Sequence, residues 1–287
     1  MNDMSEARAW FAEELRHVAR VRSPAVLAAF AAVPREHFAG PGPWRLLSPW
    51  YLSDYWTTED ADPRHLCHDV LIAIDSTRRL NNGQPSLWAF LLDQPDILPG
   101  ERVLHLGCGT GYYTAIIAEL VGPTGKITAI EIDAGLAEKA RAALMPWPQI
   151  VVSHADGANL SFEPADLIVA SAGATHPLPS WLNALKPGGR LMFPMTVTRR
   201  GAMLLVTCET EDGYSARFLC QVGFIDFSGA RDPDTGRRLA AALARDSGRA
   251  VRSLRRDHHV KDRTCWLHSE GWCLSRRLPA VSKTATP

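Results

Sequence analysis

Three closely spaced glycines and one downstream acid are the residues of this 287-residue sequence that point most directly to chemistry. Gly107, Gly109 and Gly111 form the run. They follow Arg102–Leu106, an apolar stretch that predicts a strand, and a segment with helical spacing comes next. Glycines allow a sharp turn and a close approach of the backbone to a ligand. Glu131 stands twenty residues after Gly111, where its carboxylate can accept hydrogen bonds from both hydroxyls of a ribose. We therefore predict a nucleoside-binding site.

The spacing of the glycines narrows the choice of nucleoside. The run reads G-x-G-x-G, whereas a dinucleotide with a pyrophosphate is typically bound by G-x-G-x-x-G. The tighter form suits a nucleoside without phosphates, in particular S-adenosylmethionine. The alternative is an ordinary strand-to-helix turn with incidental glycines. The cofactor-binding residues predicted in and around the turn are His105, Gly107, Cys108, Gly109, Thr110, Gly111, Glu131 and Ile132.

Two further segments follow predicted strands, and the carboxyl ends of strands are where open α/β sheets bind ligands. Asp156 can accept a hydrogen bond from an adenine amino group, while Gly157 leaves room for the ring. The alternative here is a plain Asp-Gly turn. The fourth predicted strand ends in the small residues 170–174, which leave a crevice for a ligand, and Ala172 joins the predicted cofactor-binding residues.

The order of the elements predicts the fold class and the domain organisation. Strands and helices alternate with short connections after residue 101, which is typical of βαβ units with a parallel sheet and hence of an α/β protein. We expect a helical N-terminal cap with the acceptor-site loops, a cofactor-binding core and a C-terminal extension. These three segments are predicted to span residues 1–95, 96–228 and 229–287.

Four local predictions accompany this outline. Lys186–Gly189 and Glu211–Gly213 are expected to form turns, Arg237–Arg256 one helix, and Lys283–Pro287 a frayed end. The helix is basic, so that it either docks on the surface with its charged side in solvent or binds a peptide or RNA.

Composition and charge exclude several classes of protein. Lysine plus arginine and aspartate plus glutamate both number 31, so that the formal net charge is zero, whereas binding to nucleic acid phosphates normally needs a basic excess. The 46% of hydrophobic residues indicates a globular chain. No apolar run is long enough to cross a membrane, and the acidic start lacks the apolar segment of a signal peptide. We therefore expect a cytoplasmic protein, no membrane partner, and six reduced cysteines.

Four segments between Pro34 and Pro194 carry motifs. They are Val33–Phe38, Gly83–Pro85, the glycine turn through Glu131, and residues 165–174 together with the Lys-Pro-Gly-Gly stretch of Leu185–Leu191. Together they resemble the protein-L-isoaspartate O-methyltransferase family of class I S-adenosylmethionine-dependent methyltransferases, and the Pro-Arg-Glu-x-Phe and Gln-Pro elements are the more specific part. The resemblance implies a Rossmann-like class I methyltransferase fold, S-adenosylmethionine as cofactor, and a carboxylate of a protein or peptide as methyl acceptor.

Two positions depart from the pattern of that family. The family usually has a serine before Gln-Pro, with its hydroxyl near the methyl acceptor, but this chain has Gly83, and Asn82 or Ser86 can substitute. The position two before the first glycine is commonly acidic, whereas here it is His105, whose neutral ring can still accept a hydrogen bond. We predict Asn82, Gly83 and Gln84 as the catalytic, acceptor-side residues.

These departures leave two other functions open. One is a methyltransferase that acts on another acceptor, such as a small molecule, a modified peptide or RNA. The other is a nucleoside-binding module without transfer activity. An aromatic-rich stretch ahead of Gly83 either walls an acceptor pocket or packs the N-terminal cap, and its members are Trp44, Trp50, Tyr51, Tyr55 and Trp56.

Two groups of histidines and cysteines contain side chains that could bind a metal. They are His65, Cys67 and His68 in the first group and Cys265, His268 and Cys273 in the second. Neither group contains a C-x₂-C pair, and the spacings match no standard zinc pattern. The sequence therefore predicts no metal site.

Overall fold

The structure is a computed structural model that describes residues 4–51, 53–210 and 213–279. Its helices are α1 (Met4–Val18), α2 (Pro24–Ala32), α3 (Pro85–Leu92), α4 (Tyr112–Val121), α5 (Ala134–Ala143), α6 (Pro179–Asn183) and α7 (Pro233–Arg245). Its strands are β1 (Arg45–Leu47), β2 (Trp56–Thr57), β3 (Leu71–Asp75), β4 (Leu80–Asn82), β5 (Arg102–Leu106), β6 (Lys126–Glu131), β7 (Ile150–His154), β8 (Ala165–Ala170), β9 (Leu185–Val197), β10 (Arg200–Thr210), β11 (Gly213–Gly223), β12 (Ser253–Arg255), β13 (Cys265–Ser269) and β14 (Trp272–Ser275).

The chain forms two compact units, the first of which comprises Met1–Glu101 and Cys108–Ala155. In it, α1, α2 and α3 pack against one another, and α2 also packs on α4. The Ser23 hydroxyl accepts the Val26 N–H and Pro24 opens α2, which is why this helix begins where it does. Strands β1–β4 form an antiparallel sheet in the order β2-β1-β3-β4. Strands β6 and β7 pair in parallel, and α5 packs on both.

The second unit comprises Arg102–Gly107 and Asp156–Pro287. Its strands lie in the order β13-β14-β12-β11-β10-β9-β8-β5. The pairs β5–β8 and β8–β9 are parallel, and the sheet continues through antiparallel pairs from β9 to β13. Helices α6 and α7 pack on β9, and the buried rings of Trp181, Phe193 and Phe227 form part of the core.

The predicted α/β class is confirmed, because parallel strands alternate with helices along the chain and β5 has the predicted bounds. Two local predictions were wrong. Lys186–Gly189 belongs to β9, whose first residue pairs with β8. The basic segment Arg237–Arg256 is not one helix: α7 ends at Arg245 and Ser253–Arg255 pairs with β11 and β14. Gly248 (φ +70°) turns the chain between them, in a conformation that favours glycine.

Two other local predictions concern residues outside the described ranges. Lys283–Pro287 lies wholly outside them, and the turn Glu211–Gly213 lies there except for its glycine. Among the described residues, no helix combines the length and the apolar character that crossing a membrane requires. The division of the chain at residues 95 and 228 stays a prediction.

Candidate cofactor and acceptor site

The glycine turn follows β5 and leads into α4. Gly107, Gly109 and Gly111 have φ of +77°, +58° and +97°, in the left-handed region that only glycine enters without strain. A Cβ at Gly111 would also come within 2.9 Å of the Leu144 side chain. The glycines are therefore required by the backbone path itself, and α4 begins without a side-chain cap.

Glu131, at the end of β6, is tied to this turn inside the first unit. One carboxylate oxygen accepts the Gly109 N–H at 2.8 Å, and the other accepts the Asp133 N–H at 3.0 Å. The side chain is buried, with 6% exposure. Because each carboxylate oxygen can accept a second hydrogen bond, Glu131 keeps acceptor capacity for two ribose hydroxyls. Glu131 and the glycine turn, which were predicted to act together, are thus in contact. Ile132, the residue after Glu131, is half-exposed.

Two other residues of the turn differ in what they offer a ligand. The Thr110 hydroxyl is buried and has no hydrogen-bond partner among the described residues, which leaves a polar atom for a cofactor to satisfy. Cys108 is buried, and burial raises the pKa of its thiol to about 12, so that it stays protonated. Cys108 therefore acts as a small apolar residue, while Thr110 and Glu131 fit a polar nucleoside such as S-adenosylmethionine.

His105, in the second unit, stands where an acid is common in the family. It is buried, and burial lowers the pKa of its imidazole to about 4, so that the ring is neutral at pH 7. Its Nε2 lies 2.7 Å from the Ser171 hydroxyl, just beyond the end of β8. Ala172 follows and is buried. A neutral hydrogen-bonding pair thus occupies the place of a charge.

Asp156 and Gly157 form a tight loop in the same unit. The Asp156 carboxylate accepts the Ala158 N–H at 3.0 Å and the Asn159 side-chain amide at 2.6 Å. A Cβ at Gly157 would meet Leu106 at 3.1 Å and Phe227 at 3.2 Å. The glycine is therefore needed for packing, and Asp156 is held in one orientation with lone pairs left for an adenine amino group.

The acceptor-side residues lie in the first unit, where β4 leads into α3. A Cβ at Gly83 would clash with Trp88 Nε1 and would stand 2.8 Å from Trp88 Cδ1 and 3.1 Å from the Tyr113 ring. The indole therefore occupies the space that a serine side chain would need. Asn82 is buried, and its Nδ2 has no hydrogen-bond partner among the described residues. The Gln84 amide donates to the Asp69 carboxylate at 3.0 Å, which fixes the start of α3.

Arg35, from the Pro-Arg-Glu-x-Phe segment, holds this region in place, and it is not among the site residues predicted from the sequence. It is 2% exposed. Its guanidinium donates to the carbonyl oxygens of Leu66, His68 and Val70 at 3.1, 3.1 and 2.6 Å. The signal was present in the sequence as a motif, but its partners are backbone atoms, which carry no sequence signature.

The β3–β4 hairpin also reaches the cofactor side of the same unit. The Arg78 guanidinium pairs with the Asp133 carboxylate at 2.7 Å, two residues after Glu131. A Cβ at Gly109 would lie 3.8 Å from Ile74 of β3. The hairpin that carries Asn82 is therefore in contact with the glycine turn and with the start of α5.

The aromatic-rich stretch divides into two parts. Trp44 is buried with Leu46, Leu66 and Ile72 in a small apolar cluster. Trp50, Tyr51 and Trp56 are exposed, by 89%, 72% and 43%. Between them, the Tyr55 hydroxyl donates to the Asn81 amide oxygen at 2.7 Å. Part of the stretch thus packs the cap, and part offers aromatic surface beside the acceptor hairpin.

The amino-acid sequence matches a known protein family and individual proteins of that family. Residues 66–232 match the model of the family described as protein-L-isoaspartate(D-aspartate) O-methyltransferase. Protein-L-isoaspartate O-methyltransferase 1 of Geotalea uraniireducens is 30% identical over 215 residues, which cover 73% of this chain and 87% of that protein. The protein-L-isoaspartate O-methyltransferase of Methanothermobacter thermautotrophicus is 27% identical over 232 residues, or 79% and 97% of the two chains.

Solved structures agree with these relatives in fold. One protein-L-isoaspartate O-methyltransferase superposes with a TM-score of 0.64 at 23% identity, covering 84% of this chain and 69% of that one. A protein of the same description from Plasmodium falciparum, in complex with S-adenosyl-L-homocysteine, gives 0.61 at 14% identity, covering 77% and 98%. The Rossmann-like class I methyltransferase fold is therefore confirmed, and S-adenosylmethionine is the cofactor. The chain belongs to the protein-L-isoaspartate(D-aspartate) O-methyltransferase family and is an S-adenosylmethionine-dependent methyltransferase.

Proposed function

We propose that this enzyme is an O-methyltransferase whose acceptor is a carboxylate of a protein or peptide, with the free carboxylate of an isoaspartyl residue as the first candidate. The observation that carries this proposal is Asn82, at the position next to the family's acceptor serine. Its buried Nδ2 lacks a partner among the described residues, and such a donor costs about 1–3 kcal/mol unless an acceptor is supplied. A carboxylate oxygen supplies one, and it carries the negative charge that strengthens the bond.

The side chains around Asn82 support an acceptor that is already ionised. Asn82 and Gln84 carry amides, which do not take up a proton at neutral pH. A carboxylic acid has an ordinary pKa near 4, so it needs no general base. An alcohol or amine acceptor would have to lose a proton during the reaction, and the predicted acceptor-side residues Asn82, Gly83 and Gln84 have no side chain that can accept one.

The residues of the chain would orient the two reactants and exclude water. Glu131 and Thr110 bind on the cofactor side, while Arg35 fixes the backbone on which Asn82 stands. When bound, S-adenosylmethionine supplies a methyl group on a sulfonium, and the C–S electron pair stays on sulfur as the carboxylate oxygen bonds to carbon. Alignment of this kind can contribute roughly 7–11 kcal/mol to a displacement.

Two exposed tryptophans and a tyrosine support a protein or peptide as the acceptor, rather than a small molecule. Trp50, Tyr51 and Trp56 lie on the segment whose Tyr55 is hydrogen-bonded to the acceptor hairpin. Exposed aromatic side chains are enriched where proteins bind other chains. We also propose the cytoplasm as the compartment, because the six cysteines are free thiols, as they are under reducing conditions.

The test offers the enzyme an isoaspartyl peptide and the matched aspartyl peptide with methyl-labelled S-adenosylmethionine. We expect base-labile label, released as methanol, from the isoaspartyl peptide only. No incorporation, with cofactor binding intact by calorimetry, would assign the enzyme to another acceptor. If the protein does not bind S-adenosylmethionine, it is a module without transfer activity and the proposal is wrong.

Two substitutions sharpen this test. Asn82→Asp places a negative charge against the acceptor carboxylate, so we expect kcat/KM for the peptide to fall at least about 100-fold. Asn81→Asp is the matched control, because its carboxylate still accepts the Tyr55 hydroxyl. Equal loss of activity in the two variants would contradict the role given to Asn82.

A further inference from the structure

Four side chains of the second unit converge at its C-terminal hairpin, far along the chain from the glycine turn. They are His259 in the loop after β12, Cys265 and His268 on β13, and Cys273 on β14. One nitrogen or sulfur atom from each lies within 4.8 Å of all the others. Both cysteines are buried, and both histidines are partly buried.

The hairpin brings these residues together by two features of its pairing. Cys265 and His268 are three positions apart, and on a regular strand they would point to opposite faces. A register shift between Cys265 and Leu267 adds one residue to β13, which returns both side chains to the same face. Cys273 is paired directly with His268 across the hairpin, so it shares that face. The bulge in β13 therefore brings together side chains that the regular alternation of a strand would place on opposite faces.

His259 is held ready to act as a ligand. Its Nδ1 lies 3.0 Å from the carbonyl oxygen of Asp257, which can only accept, so Nδ1 carries the proton and Nε2 keeps its lone pair. That Nε2 lies 3.6 Å from Cys265 Sγ. A second-shell hydrogen bond from the other ring nitrogen is usual for histidines that bind metals.

The remaining members of the cluster also show features of a ligand set. His268 Nδ1 is buried without a hydrogen-bond partner among the described residues. The Asp262 N–H donates to Cys265 Sγ at 3.4 Å, an outer hydrogen bond of the kind that orients a metal ligand. Without a metal, the buried His268 nitrogen has no hydrogen-bond partner among the described residues, and the two neighbouring thiols stabilise each other little. Burying these groups in that state costs free energy.

We propose that His259, Cys265, His268 and Cys273 form a structural zinc site. Two thiolates and two imidazoles in a tetrahedron are the set that Zn²⁺ prefers in structural sites. With Zn–S near 2.3 Å and Zn–N near 2.0 Å, the ligand atoms of a tetrahedral site stand roughly 3.3–3.8 Å apart. The observed 3.6 Å between His259 Nε2 and Cys265 Sγ falls within this range, and the 4.8 Å limit leaves about 1–1.5 Å to close.

The site would tie a loop to the sheet and would not take part in methyl transfer. All four positions of the metal are filled by protein ligands, which leaves no open position for a substrate. Residues 256–264 have no helix or strand, and His259 would fasten them to the β13–β14 hairpin. Zinc binding to the two cysteines releases one proton from each thiol.

The full-length protein, purified without chelators, tests the proposal directly. We expect one zinc per chain by elemental analysis. After removal of zinc, titration with Co²⁺ alone should give the intense visible bands of a tetrahedral ion and a thiolate charge-transfer band. A protein that holds no zinc and gives no such bands would overturn the proposal. So would a Cys265–Cys273 disulfide in protein purified under reducing conditions.

Matched substitutions locate the ligands. His259→Ala and Cys273→Ser should weaken zinc affinity by more than the roughly 10- to 100-fold that changes behind the ligands cost. His258→Ala and Cys220→Ser are the controls, because both residues lie outside the cluster. If His259→Ala binds Co²⁺ as tightly as His258→Ala, the assignment is wrong. The His259→Ala variant changes a side chain in a loop and no residue of the sheet. Thermal unfolding in the presence of a chelator shows independently whether the variant is folded.

Discussion

At the scale of single residues, the cofactor side depends on a carboxylate that is held by two backbone donors. Glu131 accepts from Gly109 and from Asp133, so the same acid orders the glycine turn and the start of α5. A ligand that hydrogen-bonds to this carboxylate meets a group already fixed in position. The sequence predicted the acid and the turn, but their mutual hydrogen bond is a property of the folded chain.

Glu131→Gln should weaken S-adenosylmethionine binding. The amide would place an N–H₂ group against a backbone N–H, and it would offer the ribose one acceptor oxygen in place of two. We expect calorimetry to show a dissociation constant about 10- to 100-fold higher, equivalent to roughly 1.4–2.8 kcal/mol. Glu138→Gln, an exposed acid on α5, is the control. Unchanged affinity in Glu131→Gln would refute the ribose assignment.

Gly83→Ser should destabilise the enzyme and should not increase its activity on isoaspartyl peptides. A side chain there meets the Trp88 and Tyr113 rings, and overpacking of this kind costs about 1–3 kcal/mol. Gly83→Ala separates packing from the hydroxyl and should be destabilised equally in urea unfolding. Gly236→Ala, where a Cβ meets only ordinary contact, is the control. A rise in activity in Gly83→Ser alone would show that the hydroxyl can still be accommodated.

Because of His105, the free energy of unfolding should decrease as the pH is lowered. Its pKa is lowered to about 4 by burial, against an ordinary value near 6.5, so between these pH values the unfolded chain binds a proton that the folded chain does not. Stability from this group is complete above pH 6.5 and is lost as pH falls toward 4, by about 3 kcal/mol. Urea unfolding at pH 7 and pH 5 should show a smaller difference for His105→Gln than for the wild type. The exposed His17→Gln should behave as wild type.

At the scale of elements, the acceptor hairpin is positioned by a buried guanidinium. Arg35 contacts three successive parts of the segment between residues 66 and 70, and this segment runs directly into β3. The helices were predictable because caps, prolines and apolar spacing are local signals. The short strands β1, β2 and β4 were not, because each has only two or three residues, too few to show a period, and each is defined by its pairing with another strand.

Arg35→Lys should loosen this hairpin. A lysine keeps the charge but cannot donate to three carbonyl groups in the geometry of the guanidinium, and each unmet carbonyl costs about 1–3 kcal/mol. We expect a lower unfolding midpoint and a KM for the peptide that rises several-fold, with cofactor affinity almost unchanged. Arg16→Lys, on the surface of α1, is the control. A parallel loss of cofactor affinity would contradict a role confined to the acceptor side.

At the scale of the whole molecule, the segment after residue 228 is part of the second unit. Strand β12 pairs with β11, β14 with β12, and β13 with β14, so that the tail completes the sheet. Several basic residues of this tail are ion-paired, among them Arg255 with Asp257, Arg276 with Asp246 and Arg277 with Asp262. Local pairing thus neutralises part of the positive charge of the tail.

A chain that ends at residue 246 should aggregate. It would remove β12, which pairs with β11 at Tyr214 and Ser215, and it would remove the buried side chains of Trp266 and Leu274. The strand edge and the apolar surface that these residues cover would then be free to associate with other chains. Size-exclusion chromatography should show large species for this truncation, while a chain that ends at residue 279 should elute as the full-length protein does. A monomeric, active chain ending at residue 246 would show that the tail is dispensable.

The sequence by itself determined the fold class and the cofactor, and it predicted the residues that bind this cofactor. Those features depend on local signals: apolar periodicity, prolines, glycines at required turns, and an acid at a set distance from them. Only the tertiary structure decided that Trp88 fills the space beside Gly83, that Arg35 holds the acceptor segment, and that four zinc-type ligands meet at the last hairpin. Such contacts depend on how the folded chain packs and not on a local pattern, and in the last hairpin a one-residue bulge is what places Cys265 and His268 on the same face.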